Sequence, residues 1–84
     1  MASQLANTWQ EDDGLHIDVR GLPPPEPMVV ILKLLEKSGA DAQIIAHLDR
    51  EPVYLFPELE DRGFRYELVS GGPEEFIIAI TRQE

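Results

Sequence analysis

The chain predicts an α+β two-layer sandwich of order βαβαββ, with two helices on one face of a four-stranded mixed sheet. Three observations carry this. Leu15 to Arg20 and Ala42 to Leu48 alternate apolar and polar positions, as half-buried strands do. Between them, Met28, Ile31, Leu32 and Leu35 recur at helical spacing, so strand, helix and strand make a right-handed crossover with parallel strands. At the other end, the turn cluster Ser70-Gly71-Gly72-Pro73 joins two further alternating stretches into an antiparallel hairpin.

In chain order, residues 1–14 are polar and carry the acidic cluster Glu11-Asp12-Asp13, which reads as a flexible leader to a single domain over 15–84. Its one tryptophan, Trp9, either folds back onto the domain or stays loose. In the first strand, Leu15, Ile17 and Val19 point one way and His16, Asp18 and Arg20 the other. The helix runs from Pro25 to Ser38. Pro25 suits the first helical position, and Pro27 still falls among the first four donors, which have no partner within a helix. Val29, Val30 and Leu34 widen the apolar face, and Gly39 is placed to end the helix. The second strand directs Ile44, Ala46 and Leu48 to one face and Gln43, Ile45 and His47 to the other. A shorter helix over Val53 to Arg62 contains Pro57, so it either starts near Pro57 or kinks there. Phe64 to Val69 and Glu75 to Arg82 complete the sheet.

With both helices on one face, the other carries His16, Asp18, Arg20, Gln43, Ile45, His47, Arg65, Glu67, Val69, Ile77, Ala79 and Thr81. Ile45, Val69, Ile77 and Ala79 are numerous for an open face. They mark it for a homodimer or a partner, against the alternative of scattered surface apolar residues.

Composition narrows the functions. A chain of 84 residues holds one domain and a thin core. Sixteen acidic against seven basic residues give a net charge of −9, which argues against nucleic acid and against an anionic membrane. With no cysteine, disulfides, thiolate metal sites and cysteine nucleophiles are excluded. No run has the roughly 20 apolar residues that span a bilayer, and the start lacks signal-peptide character, so a cytoplasmic location is expected.

The stretch Leu15-x-x-Asp18-x-Arg20-Gly21-Leu22-x-x-Pro25-Glu26-Pro27, running into a helix, resembles the TusA/SirA-like family of small βαβαββ sulfur carriers. Their hallmark is Gly-Leu-x-Cys-Pro-x-Pro at the start of the first helix, where the cysteine carries persulfide sulfur. Gly21-Leu22-Pro23-Pro24-Pro25-Glu26-Pro27 matches at every motif position except one: Pro24 stands in place of the cysteine. Sulfur relay needs a thiolate, so the resemblance implies the fold and not the activity. The chain is similar also to a cysteine-free branch of unknown function with the motif Arg-Gly-Leu-x-Pro-Pro-Glu-Pro. It shares Arg50-Glu51-Pro52-Val53 and Leu59-Glu60-x-Arg62-Gly63-Phe64 with that branch. Some of its members stand beside hemerythrin-like domains, which implies a metal or redox context by association.

Candidate binding residues are Arg20, Gly21, Leu22, Pro23, Pro24, Pro25, Glu26 and Pro27, with Arg50 after the second strand. The corner is a rigid turn, a docking surface for a partner or, at the helix N-terminus, a small-anion site. Arg20 and Arg50 follow the ends of parallel strands, where α/β ligand sites gather, and they also have many carboxylates to pair with. His16, Asp18 and His47 share the open face and form a weak metal set. No nucleophile–base pair can be read, so no catalytic residue and no cofactor is expected. The expected function is a non-catalytic interaction or adaptor module with a protein partner. The alternative is a small-ligand, metal or redox-linked sensor.

Overall fold

The computed structural model describes residues 7–39, 42–72 and 75–82. It is a small α+β fold with two helices and a five-stranded mixed sheet. The strands are β1 (Asn7–Glu11), β2 (Gly14–Asp18), β3 (Gln43–Leu48), β4 (Phe64–Gly71) and β5 (Phe76–Arg82); the helices are α1 (Glu26–Lys37) and α2 (Leu55–Asp61). The order across the sheet is β1-β2-β3-β5-β4.

The expected crossover is present, with β2 parallel to β3 and Leu15 beside Ile44. The expected hairpin is present too, β4 and β5 being antiparallel. The strand count needs correction from four to five. Asn7–Glu11, read as leader, pairs antiparallel with β2 through a two-residue turn at Asp12 and Asp13. Every residue of β1 is exposed, so the segment has no buried apolar period to announce it; its pairing with β2 makes it a strand. Residues 1–6 of the expected leader, and Pro73 of the expected turn, lie outside the described residues.

Helix α1 buries Ile31, Leu32 and Leu35 against Ile17, Val19, Ile44, Ala46, Leu48, Ile78 and Ile80, in one cluster that α2 joins through Leu55 and Leu59. Each of these large side chains contributes about 1.5–3 kcal/mol by leaving water. The apolar face of α1 is narrower than the sequence suggests, because Val29 is 39% exposed. Glu26 is the first helical residue, with Pro25 capping it and Pro27 in the first turn, where no donor is missed. Pro57 is likewise the third residue of α2, so the helix starts at Leu55 without needing a kink there. Phe56 stacks on Tyr66 with ring centroids 4.5 Å apart, tying α2 to β4.

The face away from the helices is less bare than its residue list implies. Ile45 is only 3% exposed, and His16 only 6%. Val69 differs: the register shifts between Leu68 and Ser70, and Val69 is left 59% exposed.

Candidate functional site

Two places concentrate chemistry. The first is a cleft of about 440 Å³ beyond the C-terminal ends of the parallel strands β2 and β3. One wall is the corner that runs into α1, with Leu22, Pro24, Pro25, Pro27 and Met28. The other is the segment from Leu48 into α2, with Pro52, Val53, Tyr54 and Leu55. The lining is mostly apolar; Asp49, Arg50 and Glu51 supply its polar groups. Tyr54 is 80% exposed and Val53 54%, so apolar surface extends out of the cleft. The polypeptide turns sharply at the first wall. Gly21 has φ +87, and its N–H donates to Oδ2 of Asp49 at 3.0 Å, tying the corner to the end of β3. The Pro23 carbonyl accepts the Glu26 N–H at 2.9 Å, and the Pro24–Pro25 peptide is cis.

Of the sequence-predicted residues, Leu22, Pro24, Pro25, Pro27 and Arg50 line the cleft, while Arg20, Gly21, Pro23 and Glu26 do not. Arg20 is engaged elsewhere. Its Nε and a terminal nitrogen donate to the two oxygens of Asp18 at 2.9 and 3.0 Å, and its terminal Nη1 lies 3.7 Å from Glu75. Arg50 makes a loose ion pair with Asp49, at 3.5 Å. Sequence reasoning placed Val53, Tyr54 and Leu55 at the start of the second helix and gave them no part in a site. The available signal was Pro52-Val53-Tyr54, a proline followed by two large apolar residues before a helix.

The hydrogen bond from Arg20 holds the carboxyl of Asp18 below its ordinary value, and the Gly21 N–H does the same for Asp49. A carboxyl lowered on folding stabilises the native state fully above its unfolded value of 3.8, and that contribution disappears as pH falls through the folded value. Asp49→Asn should therefore lower stability to urea at pH 6 and make little difference well below pH 3.8. An equal effect at both pH values would show that the charge of Asp49 is not what holds the corner.

The second place is on the sheet face away from the helices, where β1, β2 and β3 lie side by side. Nδ1 of His16 lies 2.8 Å from Nε2 of His47, and Nε2 of His16 lies 2.7 Å from Oδ1 of Asp13. Trp9 covers both rings, with centroids 5.2 Å from each, and donates its indole N–H to Glu11. The expected set of His16, Asp18 and His47 is thus only partly assembled. The two histidines meet, but Asp18 turns to Arg20, and Asp13 and Glu11 stand beside His16 instead. Burial pushes the His47 imidazole below its ordinary value; His16 adds to this, and Asp18 opposes it.

Fold and sites together define a small α+β domain that pairs an apolar cleft with two adjacent imidazoles, one buried and one half-buried. More specifically, the chain belongs to the family described as an uncharacterized conserved protein, DUF2249, whose profile matches residues 16–82, well over half its length. No curated protein matches it. Among the described residues, no helix is long and apolar enough to cross a membrane.

Proposed function

We propose that the protein is a non-catalytic interaction module that takes an apolar segment of a protein partner in the cleft between Leu22–Met28 and Leu48–Leu55. The observation that carries this reading is the coincidence of place and chemistry. The cleft lies beyond the ends of parallel strands, where α/β folds place ligands, and the corner that builds its wall has Pro24 where sulfur carriers have a cysteine. On this reading the scaffold is TusA/SirA-like, and its helix-starting corner serves docking instead of sulfur transfer. Proline supplies rigid apolar surface and no nucleophile. A pre-formed wall also reduces the ordering cost of binding. Asp49, Arg50 and Glu51 at the rim would orient the partner through polar contacts.

The test uses an apolar fluorescent probe, anilinonaphthalene sulfonate, with the folded protein. Saturable enhancement is expected, with affinity reduced at least tenfold by Leu22→Asp and by Val53→Asp and unchanged by Glu67→Lys on the opposite sheet face. A probe that ignores the folded protein, or binds all three variants alike, would remove the cleft from the account. Copies of the protein bearing Leu22→Asp should also lose partners that the Glu67→Lys protein retains.

A further inference from the structure

We propose that Glu11, Asp13 and His16 form a binding site for a divalent first-row transition-metal ion, with His47 positioning the imidazole. One oxygen from each carboxylate and Nε2 of His16 lie within 4.8 Å of one another, close enough to converge on a single ion. Nε2 is 2.7 Å from Asp13 and 3.7 Å from Glu11. One nitrogen and two oxygens form a mixed donor set suited to such ions, leaving other coordination positions to water.

The geometry around His16 separates this group from a solvated acidic turn. His16 is 6% exposed, so its ring is held by packing before any ligand arrives. Trp9 stacks on one side at an interplanar angle of 23°, and His47 meets the ring edge at Nδ1. Imidazoles that bind metals through one nitrogen almost always have the other nitrogen fixed by a hydrogen bond. His47 supplies that partner from a different strand, in register beside Asp18 on β2. The two carboxylates come from the β1–β2 hairpin: Glu11 is opposite Gly14 at its end, and Asp13 lies in the two-residue turn.

An ionised carboxylate can only accept, so in the metal-free protein Nε2 of His16 carries a proton that it donates to Asp13. The ion takes the place of that proton. The displaced proton leaves to solvent, Nδ1 of His16 takes the proton that Nε2 of His47 had donated to it, and His47 gains a proton from solvent at Nδ1, so that its Nε2 becomes the acceptor. The site is separate from the cleft, and this proposal stands or falls independently of the reading given to that cleft.

Trp9 provides the readout, because it is the only tryptophan and its ring lies beside His16. Cobalt(II) added to tag-free protein should quench Trp9 fluorescence saturably, with one ion per chain by native mass spectrometry. Asp13→Asn and Glu11→Gln change exposed side chains and should each weaken binding about tenfold or more with the fold intact by circular dichroism. His47→Ala should weaken it about 10–100-fold, whereas His47→Gln, which retains an acceptor, should recover much of that loss. Nitrogen-15 spectra of the imidazoles with zinc(II) should show Nε2 of His16 bound to metal and Nδ1 protonated. Non-saturable quenching, or binding unaffected by Asp13→Asn and Glu11→Gln, would overturn the assignment. So would equal losses from His47→Ala and His47→Gln in respect of the role given to His47.

Discussion

Gly14→Ala is expected to destabilise the protein by about 2–4 kcal/mol. Two costs combine at this position. Its φ of +138 is one that side chains rarely adopt, and a Cβ there would lie 2.3 Å from the backbone oxygen of Gln43. That oxygen belongs to β3, an interior strand of the sheet, so relief requires β2 and β3 to separate where their parallel pairing begins. A chain of 84 residues has a total stability of about 4–12 kcal/mol, so the loss would be a large part of it. Gly21→Ala is the control, because its φ is +87 but a Cβ would meet nothing within 4 Å. Urea unfolding of the two variants separates strain from collision: Gly21→Ala should cost about 1–2 kcal/mol, and equal losses would show that the contact with Gln43 relaxes freely. Since Gly14 joins the hairpin turn to β2, its replacement should also weaken cobalt(II) binding at Asp13 and His16.

The second large effect is expected at Ile45. Ile45→Ala should cost about 2–4 kcal/mol, whereas Val69→Ala should stay within about 0.5 kcal/mol. By alternation alone, both residues belong to the same exposed face. In the fold, Ile45 sits between His16 on β2 and Ala79 on β5 and is 3% exposed, while Val69 lies at a register shift in the edge strand β4 and is 59% exposed. Truncating Ile45 therefore leaves a cavity in the middle of the sheet, and truncating Val69 leaves water where water already was. Thermal unfolding of both variants would decide, and similar losses would mean that the exposed edge is covered in solution.

Legibility in the sequence followed the strength of local periodicity. Ile31, Leu32 and Leu35 repeat at helical spacing and Ile44, Ala46 and Leu48 alternate, and both sets lie in the core. The parallel pairing of β2 and β3 followed from placing a helix between two strands, since a parallel connection needs a crossover of that size. Strand β1 was not legible, because Asn7 to Glu11 has only Trp9 as a large apolar residue and buries none of its positions. Asp13-Gly14 did offer a hairpin signal, but the polar segment before it gave no alternation to pair with.

The sites divide along the same line. Leu22, Pro24, Pro25, Pro27 and Arg50 were identifiable from a motif, since residues at the start of a helix and after a strand keep their neighbours in sequence. Val53 to Leu55 became the opposite wall only when α2 packed beside α1's entry, a long-range arrangement that no local pattern encodes. The same holds for His16. Sequence placed it with His47 on one face, but the choice of carboxylate came from the added strand, which brought Glu11 and Asp13 over the ring while Arg20 drew Asp18 away.

By itself, the sequence determined the two-helix sandwich, its parallel crossover, the corner with Pro24 and the absence of thiol chemistry, because each depends on residue type or short-range period. Tertiary structure alone decided the fifth strand, the burial of Ile45 and His16, the second wall of the cleft and the partners of each carboxylate. The burial and the second wall depend on contacts between residues about 30 positions apart, as His16 meets His47 and Gly21 meets Asp49; the fifth strand and the carboxylate partners join near neighbours, but through backbone pairing and hydrogen bonds that no apolar period announces.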